Sequence, residues 1–113
     1  MSDQGKVLIT MTVPESAAFC TAVSGAGTKS ASLRAVGLMA DSTAAGVTKG
    51  PVQISGTALG IAAGVITIGD RLKSDADGKL AVVTGDATDN GLTMAVALEG
   101  AAAEDILFNV KIL

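Results

Sequence analysis

The chain has 113 residues, a net charge of −3 and no histidine, and its 49% apolar content includes only 2% aromatics. That length suits one domain spanning residues 1–113, because single cores of roughly 100 to 150 residues are the norm. The acidic balance, with basic residues scattered and never in a run, argues against a nucleic-acid partner, and no apolar stretch approaches the roughly 20 residues that would imply a membrane one. Two Phe and no Trp or Tyr leave a core of small and β-branched side chains. A core that thin favours burying further surface between subunits.

The first element in chain order is "KVLITMTV", Lys6 to Val13. Its alternation puts Val7, Ile9, Met11 and Val13 on one face and Leu8, Thr10 and Thr12 on the other. Pro14 ends the strand, since proline cannot donate to a ladder. Ahead of it, Met1, Ser2, Asp3, Gln4, Gly5 and Lys6 form a candidate N-terminal arm for contacting a neighbour by strand addition. This opening has no basic segment before its apolar run and does not read as a secretion signal, so synthesis in the cytoplasm is expected. Glu15 to Val23 reads either as a short helix after Pro14 or as a strand from Phe19 to Val23. "SGAGTKS", Ser24 to Ser30, is a loop.

"LRAVGLMA", Leu33 to Ala40, is a strand, followed by a turn-rich stretch and then "PVQIS", in which Val52 and Ile54 share a face. Glycines at 56, 60, 64 and 69 break Gly56 to Asp70 into short strands with tight bends. The strongest local signal is "RLKSDADGKLAVV": strands at Arg71 to Ser74 and Lys79 to Val83 flank a "DADG" turn and form a hairpin. Thr84 to Gly91 is a polar loop. In "TMAVAL" the alternation groups Met94, Val96 and Leu98; in "ILFNVKIL" it groups Ile106, Phe108, Val110 and Ile112. A helix across the intervening Glu99 to Asp105 would have to absorb Gly100 and would last only two turns, so this too is a hairpin with an alanine-rich loop. The expected fold is therefore all-β: a small β-barrel or β-sandwich of eight to ten short antiparallel strands. Ala35 to Ile54 and Ala95 to Ile112 also echo one another, each an "AVxL" strand, a loop with Ala-Ala and a strand ending Val-x-Ile.

Chemistry-bearing residues are sparse. Without histidine the usual nucleophile pairs and the commonest zinc ligand are missing. The single cysteine, Cys20, lies between Phe19 and Thr21 with no base nearby and reads as a buried structural thiol. Carboxylates cluster at Asp70, Asp75, Asp77, Asp86 and Asp89, but the calcium-loop pattern fails at Lys79 and Ala97, so they read as turn residues. "GAGTKS" lacks the spacing of a phosphate loop. No catalytic residue, metal site or cofactor is expected.

Two resemblances remain. "GVITIGDRLKSDADGK" resembles the "GxxVxxGDxL" run of lipoyl and biotinyl carrier domains, which would make Lys79 the modified residue of a carrier or ligand-binding module. Here, however, Lys79 follows Gly78 and leaves the turn into a strand. Across Leu33 to Leu113, the succession "AVGLMADSTAAG", "VQISGTA", "AAGVITIGDRLKSDADGKL" and "MAVALEGAAAEDILFNVKIL" resembles tailed-phage capsid cement, or head decoration, proteins. That family shares a "G-D-x-L-x-x-D-x-x-G-K" hairpin and a "G-x-A-L-E-A-A-A" strand and loop before the last strand. The resemblance implies a non-enzymatic homotrimer that binds the major capsid protein on the outside of the virion and ties capsomers together. Gly100, Ala101, Ala102 and Ala103 are then candidate capsid or subunit contacts, beside the Met1 to Lys6 arm, which rests on its position and the β-pattern that follows it and not on the resemblance.

Overall fold

The computed structural model describes residues 7–14, 17–84 and 91–113. The candidate arm at Met1 to Lys6, Glu15 and Ser16 of the ambiguous stretch, and most of the polar loop before Gly91 lie outside the described residues. The elements are eight strands: β1 (Val7–Thr12), β2 (Ala22–Ser24), β3 (Ala35–Met39), β4 (Lys49–Ile61), β5 (Arg71–Ser74), β6 (Leu80–Val82), β7 (Ala95–Ala97) and β8 (Leu107–Ile112). The fold is all-β, with every ladder between strands antiparallel. The sheet runs β2-β3-β4-β8-β7-β5-β6, and β1 pairs with the first half of β4. A parallel bridge from Ala62 to Leu80, with the Ala63 N–H on the Leu80 carbonyl at 2.9 Å, brings β6 back to the end of β4. Strands β4, β8, β7, β5 and β6 thereby form a nearly closed barrel.

The hairpin is where its turn chemistry places it. Gly78 has φ +79, which a side chain would resist, and Asp75 Oδ1 accepts from the N–H groups of Asp77 and Lys79, both at 2.9 Å. Strand β8 alternates as read: Phe108, Val110 and Ile112 are buried while Leu107, Asn109 and Lys111 are exposed. Ile106 falls before the strand and is exposed rather than sharing the buried face.

Three expectations are corrected. The glycines do not chop β4 into pieces; one strand of 13 residues runs from Lys49 to Ile61. Gly56, at φ +85, absorbs the change of direction within it. The Gln53 side chain then serves the backbone there, its Nε2 donating to the Ser55 carbonyl at 2.9 Å and the Thr57 carbonyl at 2.8 Å. Second, the buried face of β7 is the other one. Ala95 and Ala97 point inward with the preceding Met94, whereas Val96 is half-buried and Leu98 exposed. The register explains it: Ala95 lies opposite Ile112 and Leu72, and Ala97 opposite Val110, all buried, while Val96 lies opposite Arg71 and Lys111. Third, β1 does not bury Val7 and Ile9 despite its alternation. Val7, Leu8 and Ile9 are all exposed, Met11 is half-buried, and only Val13 beyond the strand is sealed. The strand hangs on one edge of β4, so its period does not select a buried face.

The region read as helix or strand resolves into a turn at Phe19 and Cys20 followed by β2. The two echoing stretches each become an adjacent antiparallel pair, β3 with β4 and β7 with β8.

Fourteen residues form the main core, six of them alanine, around Phe108 as the largest fully buried side chain. A second cluster of Val13, Ala17, Val23, Met39 and Val52 sits under the first half of β4. The total accessible surface of 5616 Å² is close to the roughly 5,700 Å² expected of a monomer of 11.1 kDa. A core of small side chains has therefore not left the chain unusually open; the large apolar side chains that remain exposed are spread along the chain, from Val7, Leu8 and Ile9 in β1 through Val65 and Ile68 to Leu113.

Candidate functional site

The best-built surface feature is a pair of loops at one end of the barrel. Residues 62–70 connect β4 to β5, and residues 98–106 connect β7 to β8. Ile66 and Ala101 exchange both backbone hydrogen bonds at 2.9 Å, the Gly69 N–H donates to the Ala97 carbonyl at 2.9 Å, and the Asp105 N–H donates to the Ala62 carbonyl at 2.8 Å. Asp70 ties its own loop, its Oδ2 accepting from the Thr67 N–H at 2.8 Å, while its carbonyl accepts from the Ala97 N–H at 2.9 Å. Glu99 Oε1 accepts from the Asn109 backbone at 2.7 Å and from its side-chain Nδ2 at 2.9 Å.

On this tied backbone Ile66 and Ala101 turn inward, and Val65 and Ile68 turn out with 70% and 67% of their surface exposed. Leu98 is exposed as well. Sequence reading missed Val65 and Ile68, because "GVITIG" offers no clean period from which to tell its inward Ile66 from its outward Ile68.

Of the four candidate loop contacts, Gly100, Ala102 and Ala103 are exposed, while Ala101 belongs to the chain's own core. Met1 to Lys6 lie outside the described residues.

Lys79 leaves the hairpin as expected, and its Nζ lies 2.8 Å from Asp105 Oδ1 and 3.1 Å from Glu104 Oε2. The hydrogen bond to Asp105, then that to Glu104, holds its ammonium well above the ordinary lysine range. A lysine fastened to two carboxylates is poorly placed to act as the free amine a carrier domain offers for acylation. The Cys20 thiol is fully buried, and burial pushes its pKa up to about 11, so the reactive thiolate is disfavoured.

A pocket of about 220 Å³ is lined by Phe19, Leu38, Met39, Leu59, Gln53 and Asn109 among others, with no ionisable side chain in its wall. Among the described residues no group of three His, Cys, Asp or Glu is placed to hold a metal ion, and no helix is long and apolar enough to cross a membrane. Among the described residues the loop pair presents Val65, Ile68 and Leu98 to solvent on a hydrogen-bonded backbone. No protein-family model matches the chain, and no curated protein sequence is similar to it.

Proposed function

We propose that the chain is a structural protein of the capsid cement, or head decoration, type: a non-enzymatic β-domain that binds the outer surface of a tailed-phage head and ties neighbouring capsomers together. The observation that carries this reading is the tied loop pair, which holds Val65 and Ile68 out to solvent on a fixed backbone. An apolar side chain presented rigidly loses little freedom on docking, and so contributes more of its burial to affinity. The two stretches that carry the family resemblance also support it. They fold against one another, with Leu72 of β5 opposite Ala95 of β7 and Lys79 on Glu104 and Asp105.

The same proposal includes a homotrimer, the major capsid protein as partner, and residence on the virion after synthesis in the bacterial cytoplasm. Gly100, Ala102 and Ala103 are its loop contacts and Met1 to Lys6 its arm. The test mixes the purified chain with empty tailed-phage heads assembled from major capsid protein. The chain is expected to pellet with heads and to show a native mass of three times 11.1 kDa. Ile68→Asp, at an exposed position, is expected to lower the bound fraction about tenfold without unfolding the domain. A monomer that stays in the supernatant would overturn the reading.

A further inference from the structure

Strand β1 has a ladder partner on one side only among the described residues, and its other edge is open from Val7 to Met11, with Gly27 lying against the Thr12 carbonyl at its end. At one end of the strand order, β2 is three residues long and its Ala22 N–H donates to the Gly78 carbonyl at 2.8 Å. At the other end, β6 closes onto Ala62 and Ala63 through Leu80. Both ends are thus short or covered, which is how natural sheets avoid unwanted pairing. β1 is six residues long, "VLITMT", with no charge and no proline, and β4 is its ladder partner on one side. Its irregularity is confined to the step between Val7 and Leu8. Val7, Leu8 and Ile9 expose 46%, 51% and 39% of their surface. An edge with these properties templates a further strand.

We propose that the strand it takes is β1 of a second copy, antiparallel, about a twofold axis centred on Ile9. Each chain carries a net charge of −3 and copies repel one another in general. The uncharged β1 is where they meet with no like charges opposite. Centring on Ile9 sets Ile9 against its mate and Val7 against Met11 on one face, with Leu8 against Thr10 on the other. Centring on Thr10 would instead oppose Leu8 to Thr12 and set Val7 against Val13, which lies beyond the strand and is buried in the chain's own second cluster. A six-residue strand, about 20 Å long, falls well short of the roughly 800 Å² per partner of a stable interface. Pairing is therefore weak, half-complete at a concentration on the order of 0.1–1 mM. This contact joins copies in pairs and does not rest on the head-binding proposal; a chain that ignores heads would still pair here.

Sedimentation equilibrium of the full chain tests it, with oxidative cross-linking of single-cysteine variants to read the register. The mass is expected to climb with concentration above its value at dilution, whether the unit that pairs is one chain of 11.1 kDa or the trimer proposed above. Ile9→Lys is expected to abolish that climb and to leave the circular dichroism of the folded chain unchanged. Ile9→Cys should cross-link about tenfold faster than Thr12→Cys, because only position 9 meets its own mate within disulfide reach. The buried Cys20 is common to every variant and sets the background. A mass fixed at its dilute value up to about 2 mM overturns the proposal, as does equal cross-linking at positions 9 and 12.

Discussion

Strand β4 passes through two regions that are stabilised differently. Its first half, Lys49 to Ser55, carries β1 on one edge and touches β3 on the other, over the small cluster around Met39 and Val52. Its second half, Gly56 to Ile61, pairs with β8 and enters the nearly closed barrel around Phe108. Closure gives β5, β7 and β8 a ladder partner on each side and buries alternate residues of each. The open region leaves β1 hanging at an edge, with aliphatic side chains in solvent on both faces. Similar alternating sequences therefore have different fates: in β8 the period fixes which residues are buried, and in β1 it does not. What separates them is whether a second layer covers the strand.

The largest effects should come from the two cores themselves. Phe108→Ala empties the centre of the barrel and is expected to cost about 3–5 kcal/mol, against about 2–3 kcal/mol for Met39→Ala in the smaller cluster. Urea denaturation measures both. If Met39→Ala were the more costly, the open region and not the barrel would be the stable part of the fold.

Two glycines sharpen the contrast at the next level. A Cβ on Gly37 of β3 would overlap the Gln53 backbone carbonyl, whereas one on Gly60 of β4 would meet the tip of the Leu80 side chain. Backbone cannot retreat and a leucine rotamer can. Gly37→Ala is therefore expected to destabilise by about 3 kcal/mol and Gly60→Ala by about 1–2 kcal/mol, read from the same denaturation midpoints.

The smallest effect is a pH dependence confined to the open region, where Cys20 donates its N–H to the Met39 carbonyl at 2.9 Å. The folded thiol titrates near 11, above its unfolded value, so its contribution is complete below the unfolded pKa. It is lost as pH rises through the folded one. Stability should fall by about 1 kcal/mol between pH 8 and pH 10 through this group alone. Cys20→Ala should flatten that part of the curve. An identical fall in the variant would show that lysines, not the thiol, drive it.

Much of the architecture was legible because local chemistry and period agreed. Asp75 and Gly78 specified the hairpin through a side-chain turn and a positive φ, and the alternation of Phe108, Val110 and Ile112 specified β8. β7 was misread because hydrophobicity alone ranks Val96 above its alanine neighbours. The interior opposite Leu72, Val110 and Ile112 admits only the small residues. Of the candidate contacts, Gly100, Ala102 and Ala103 were placed at the surface, and Ala101 was not. Its burial follows from the bridge to Ile66, a partner 35 positions earlier that no local pattern indicates.

The sequence by itself determined the all-β class, the hairpin turn and the inward face of the last strand, since each follows from residues a few positions apart. Only the tertiary structure decided that β4 runs unbroken through Gly56, that Val65 and Ile68 stand out on a tied loop, and that Lys79 is fastened to Asp105 and Glu104. It also left β1 as an open apolar edge. Those outcomes depend on which distant segment lies alongside, and so on closure of the sheet rather than on the propensity of any residue.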